Sequence, residues 1–231
     1  MIMTFYWTDQ AVENKLQHPS KTWAEWKSDD KCFKVWKKEL KDQGKPREEQ
    51  YVKFDLPDEI IVVAEWFTVW GFINSLGTWI RSNEIFSFSE PFVVRRNDGG
   101  LWLQWDWNEI WEKIKSAWGK LFRNVHFATK DSLELSTLQM GWAGSGAWRE
   151  AIREWTLNPG AYTVRLKEIG EWKKGKIEWS YPIFENANPL TDWDKTLQQA
   201  FVSVLMEYWK EKNELAKASL EAEEKDDELP F

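Results

Sequence analysis

Nineteen of the 231 residues are tryptophan, against only five tyrosines. An indole is too large to be placed without consequence. It either fills a core or stays at the surface, where it anchors a protein partner or stacks on a base or a sugar. Any fold of this chain must therefore house much aromatic volume and present the remainder to something. Periodicity sorts the tryptophans in part. Trp7, Trp66, Trp70, Trp105, Trp111, Trp148, Trp155 and Trp193 fall on patterned apolar faces and are expected in the core. Trp23, Trp26, Trp102, Trp172 and Trp179 are less tied to a pattern and would mark an interface where exposed.

The same patterning outlines the elements. Residues 3–7 read as a first strand, followed by a mixed segment with Trp23, Trp26, Phe33 and Trp36. Residues 37–50 are almost wholly polar, with Gly44 and Pro46, and read as a loop or a frayed helix end. Residues 60–70 are β-branched and aromatic on both alternating faces, which suits a strand buried on both sides. Residues 85–94 and 101–107 flank Arg95, Arg96 and an Asn-Asp-Gly-Gly turn, the clearest hairpin in the chain. On its second strand Leu101, Leu103, Trp105 and Trp107 share one face, and Trp102, Gln104 and Asp106 the other.

Asn108 opens a helix with Ile110, Trp111, Ile114, Trp118 and Leu121 at helical spacing. Residues 125–138 read as one or two strands. Trp148, Ile152 and Trp155 mark a short helix that stops before Asn158-Pro-Gly. Residues 162–166 and 177–181 form a second hairpin, with Lys173, Lys174 and Lys176 near its tip. Thr191 caps a long last helix, with Asp192 and Asp194 in its first turn and a stripe of Trp193, Leu197, Phe201, Val204, Leu205 and Tyr208. The expected fold is one α+β domain over residues 1–220: an antiparallel sheet with hairpins, packed helices and a long C-terminal helix.

Hydrophobic residues make up 42% of the chain and charged residues 30%, enough for a core and a solvated surface. The formal net charge is −7, unevenly placed. Residues 221–231 hold six acidic side chains against Lys225, a net −5, which leaves about −2 for the rest. That acidic tail is expected to be disordered, because it has too little apolar surface to offset ordering entropy. The near-neutral body argues against a free-standing duplex binder. Cys32 is the only cysteine, so neither a disulfide nor a thiolate cluster can form within the chain. With no signal-peptide pattern and no long apolar run, the expected setting is cytoplasmic, away from membranes.

The chemistry-bearing candidates are few. A metal-independent RNA nuclease could use His126 as general base, with Lys120 or Arg123 beside it. The plain alternative is a half-buried strand histidine. His18 lies in a polar stretch. Asp58 and a distant Glu171-Trp-Lys173 form a sparse acidic pattern that chance supplies easily. Gly141-Trp-Ala-Gly-Ser-Gly146 precedes a helix but lacks the ending of a phosphate-binding loop, so a tight turn is expected. Cys32 has Lys31 and Lys34 nearby but no histidine partner in sequence. No cofactor is called for.

Two basic sites remain. Arg95 and Arg96 sit at the first hairpin turn beside Trp102. Lys173, Lys174 and Lys176 sit at the second tip beside Trp172 and Trp179. Cations next to indoles suit single-stranded nucleic acid or an acidic protein surface. Through its length, its Trp-rich α+β body, the hairpin strand 102–107 and its lack of catalytic motifs, the chain resembles the small accessory proteins of type III-D CRISPR effector complexes. That resemblance implies a non-enzymatic structural subunit of an antiviral ribonucleoprotein, packed against larger protein subunits around guide or target RNA. The alternatives are the His126 nuclease and a binder of carbohydrate or another small ligand lined by tryptophan.

Overall fold

The computed structural model describes residues 17–74, 77–105, 107–116 and 118–227, with side chains described up to residue 215, Trp105 excepted. The expected strand at residues 3–7 lies outside the described residues. A nine-stranded sheet forms the body. Its strands are β1 (Thr22–Lys27), β2 (Cys32–Trp36), β3 (Tyr51–Lys53), β4 (Ile61–Ile73), β5 (Thr78–Ser82), β6 (Phe92–Arg96), β7 (Leu101–Trp105), β8 (Lys120–Ala128) and β9 (Ser136–Met140). The order is β3-β2-β1-β9-β8-β4-β5-β6-β7. Neighbours are antiparallel except β1 and β9. Two further strands, β10 (Tyr162–Lys174) and β11 (Ile177–Pro189), form a separate two-stranded ribbon. The helices are α1 (Lys38–Asp42), α2 (Trp107–Ser116), α3 (Trp142–Arg153) and α4 (Asp192–Asp227). This is the α+β architecture the sequence predicts, with a long C-terminal helix.

β4 is buried on both sides, as its apolar run implies. Ile60 and Val62 join a cluster with Trp148 of α3 and Phe184 of β11. Ile61, Val63 and Trp66 join another, with Leu197 and Leu205 of α4. Alternate residues of one strand thus face different layers. Farther along, Phe67, Val69 and Ile73 meet Ile110 and Ile114 of α2. α2 and α3 touch through Trp111 and Trp142, whose rings lie 6.2 Å apart and nearly parallel. A close approach between β4 and the connection after α2 demands glycine on both sides. A Cβ on Gly71 would lie 2.6 Å from Gly119 Cα, so β4 and the α2–β8 connection approach closely only without side chains.

Several expectations are corrected. The mixed segment around Trp23 and Trp36 is the hairpin β1–β2. The polar stretch 37–50 holds α1 and a 3-10 turn, Arg47–Gln50. The helix from Asn108 begins at Trp107 and ends at Ser116, so Leu121 belongs to β8 and Trp118 to the connection. Trp118 is exposed, with φ +61°, a left-handed cap that halts the helix. Residues 141–146 are not a tight turn: Gly141 is the N-cap of α3 and residues 142–146 are its first turns.

Trp155 and Trp193 are not core residues; they are 81% and 60% exposed. Trp155 sits past the end of α3 with φ +60°. α4 opens with the expected reciprocal cap: Thr191 N–H donates to Asp194 Oδ2 at 2.9 Å, and Asp194 N–H to Thr191 Oγ1 at 3.2 Å. Its buried stripe runs through Leu197, Phe201, Val202, Leu205, Tyr208 and Trp209. Counting Val202 and Trp209 turns the centre of the stripe away from Trp193 and Val204, both of which are exposed. α4 runs on through Asp227, into the acidic segment 221–231. Among the described residues no helix is long and apolar enough to cross a membrane.

Candidate functional site

The structure separates the two basic hairpins. The β6–β7 hairpin lies at the end of the large sheet, and its cations serve the turn. Arg95 is 5% exposed, and its Nη1 donates to Gly99 O at 2.7 Å. Arg96 pairs with Asp98 at 3.3 Å. Trp102 packs against the cluster that holds Phe92 and Val94. Trp102 and Leu103 both touch that cluster while Leu101 is exposed, so strict alternation fails here. A register shift between Val94 and Arg95 twists the strand at this point. Arg95 is thus committed to the turn, and Trp102 is half-buried against the core cluster.

The β10–β11 ribbon is built differently. Its root is anchored. Val164 pairs with Ile60 in an isolated bridge, and Phe184 meets Trp148 edge-to-face at 5.1 Å. Midway, Trp26 Nε1 donates to Ser180 O at 2.9 Å, and Ser180 N–H donates to Ser28 Oγ at 2.7 Å. Toward the tip the ribbon is held mainly by its own ladder, with an exposed ion pair from Glu171 to Lys31 of the β1–β2 turn. Trp172 pairs with Trp179, their rings stacked 4.7 Å apart. The Tyr181 ring covers Gly170, where a Cβ would come within 2.6 Å of it. Gly175 turns the tip with φ +63°.

Ile169, Trp172 and Ile177 are 40%, 51% and 57% exposed, and Lys173, Lys174 and Lys176 are exposed beside them. The charge is mixed, because Lys173 pairs with Glu178 and Lys31 with Glu171. Of the residues read as contacts, Trp172, Trp179 and the three lysines come together here. Arg95, Arg96 and Trp102 belong to the other hairpin.

A second constellation lies under α4. His126 is fully buried on β8, and its Nδ1 is 2.8 Å from Thr137 Oγ1. His18 stacks on it at 5.5 Å, and Trp23, Trp66 and Tyr208 pack against His18 edge-on. Ser20 N–H donates to His18 Nδ1 at 2.9 Å, which requires that nitrogen to be unprotonated. Burial pushes the imidazole pKa of His18 down to about 4 and that of His126 to about 3, so both rings are neutral at pH 7. Nearby, Lys212 of α4 reaches the buried Glu84 at 3.0 Å. Burial alone would raise the Glu84 carboxyl, but the Lys212 ammonium together with His18, Arg81 and His126 outweighs it and holds the pKa at about 2.

This cluster fastens α4 to the sheet. A general base must come within hydrogen-bond reach of its substrate, and His126 is enclosed by rings. Its supposed helper Arg123 pairs with Glu65 and donates to Ser145 of α3, on the other side of β8. The geometry thus gives the nuclease reading no support. Among the described residues no group of three or more His, Cys, Asp or Glu could hold a metal ion.

Sequence reasoning missed the most exposed indoles. Trp118, Trp142, Trp155 and Trp193 are 74%, 75%, 81% and 60% exposed. Trp118 also borders an open depression with Glu112, Lys115 and Ser116. Trp118 and Trp155 each follow the last turn of a helix, a position that helical spacing counts as one more apolar step. No known protein family, characterised protein or solved structure matches this chain.

Proposed function

We propose that this chain is a non-enzymatic structural subunit of a larger ribonucleoprotein, held by protein partners and contacting RNA at most as a secondary surface. The observation that carries this reading is the outer half of the β10–β11 ribbon. A two-stranded hairpin alone is marginal in water. This one carries Ile169, Trp172 and Ile177 largely in solvent, and among the described residues no third strand joins it. Such a ribbon gains its missing face from a partner. The mixed charge at the tip fits a protein surface better than bare phosphate, while Lys174 and Lys176 leave room for a nearby RNA backbone. The role matches the one implied by the resemblance to type III-D CRISPR accessory proteins.

The test is co-purification of the untagged chain from its native cell, with Trp172→Ala, Lys174→Glu and Lys176→Glu combined. The expected result is an unchanged melting temperature with loss of the partner subunits and their RNA. Retention of both would overturn the reading. So would nanomolar RNA binding by the isolated chain, which is expected to bind single strands only in the non-specific range of roughly 10⁻⁴–10⁻⁶ M.

A further inference from the structure

The large sheet ends in two edges of different character. β3 is three residues long, carries Lys53 and follows directly on a 3-10 turn. That is a blunted edge. β7 is five residues, Leu-Trp-Leu-Gln-Trp, with neither charge nor proline. Among the described residues no strand pairs with its outer side. The register shift at Arg95 sits at the turn, so Leu103, Gln104 and Trp105 stay in regular pairing with Val94, Val93 and Phe92. α2 does not cover the edge, because its Ile110 and Ile114 pack into the cluster on the sheet face. Leu101 and Gln104 are exposed.

We propose that β7 is the seam of a homodimer, in which two copies pair this strand antiparallel about a two-fold axis at Leu103. Two features select a second copy as the occupant. First, self-pairing sets each residue against its mirror position: Leu103 faces itself and Trp102 faces Gln104. An antiparallel self-pair tolerates no like charges across the axis, and this strand has none. Second, among the described residues β7 is the one long uncharged edge of the sheet, the opposite edge being the blunted β3. Isologous pairing through β7 closes at two copies, whereas two open edges would let sheets add without end. The seam lies on a different hairpin from the ribbon and does not depend on the subunit role.

Light scattering of the full chain over a concentration series should show twice the chain mass at the upper end. Leu101→Lys combined with Gln104→Lys changes two exposed positions, adds two positive charges per copy along the seam and sets each new lysine at position 104 diagonal to its symmetry mate. It should weaken the dimer about tenfold or more, with an unchanged melting temperature. Val52→Lys on β3 should leave the dimer intact. A monomer at every concentration, or a dimer that survives the double lysine variant, overturns the proposal. If that variant fails to fold, hydrogen exchange of the unmodified chain decides. Backbone amides of β7 gain protection with concentration if the seam is there, and gain none if it is not.

Discussion

The two hairpins look alike as sequence and behave as opposites in the fold. Each has a turn rich in glycine or lysine, flanking cations and an adjacent indole. In β6–β7 Arg95 is 5% exposed and bonded to Gly99 O, and Trp102 lies against the core. In β10–β11 the lysines and Trp172 stand in solvent. The difference is what lies behind each hairpin. β6 is hydrogen-bonded to β5 and covered by α2, so its side chains are absorbed. Among the described residues the outer ribbon pairs with no strand but its own partner and meets the body through the exposed Lys31–Glu171 ion pair, so Trp172 and Ile177 stay in solvent. Local sequence sets the turn, and the layer behind decides whether the residues around it are structural or available.

The sharpest test of that contrast is at the root of the ribbon. Trp148 is 1% exposed, meets Phe184 of β11 and donates from Nε1 to Glu65 Oε1 at 2.9 Å. Trp148→Ala should cost about 3–5 kcal/mol in a denaturant melt, from lost burial and the cavity left behind. A loss below about 1 kcal/mol would mean that the root is no better anchored than the tip.

Acid should separate body from ribbon next. The folded pKa values of His18 and His126, about 4 and about 3, lie below the ordinary 6.5, so the unfolded chain binds more protons between those limits. Stability is therefore complete above pH 6.5 and falls as the pH drops toward 4 and then 3. Glu84, held at about 2 against an ordinary 4.5, adds a loss of the same sign below pH 4.5. The combined loss by pH 4 should be on the order of a few kcal/mol. His126→Gln should flatten the dependence of the denaturation midpoint on pH. A midpoint that is level from pH 7 to 4 would place the histidines in solvent.

The arginine comparison is smaller. Arg95→Ala removes a buried guanidinium and its bond to the turn, and should destabilise by about 1–3 kcal/mol. The matching change on the ribbon, Lys174→Ala, should stay within about 0.5 kcal/mol, as expected of an exposed side chain without packing. Equal effects in thermal melts would erase the distinction between the hairpins. Smallest of all, Trp193→Ala should cost less than about 1 kcal/mol, because its indole lies off the buried stripe of α4.

Elements with strong local signals were legible in the chain itself. The both-sided apolar run of β4, the two glycine turns and the Thr191–Asp194 cap follow from side-chain period, positive φ and hydrogen-bonding reach, all of which act within a few residues. The ribbon tip was legible for the same reason. What sequence alone left open depends on contacts between distant positions. The pairing of β1 with β9 and the stack of His18 on His126 join segments more than a hundred residues apart. Nothing local marks Arg95 as buried, since a cation entering a hairpin turn is ordinarily solvated, as Lys174 is. The tryptophans show the limit best. Spacing assigns Trp148 and Trp155 to one helical stripe, yet one is 1% and the other 81% exposed. A left-handed residue past the end of α3 rotates the second indole away from the sheet, and only the assembled layers determine where that rotation points it.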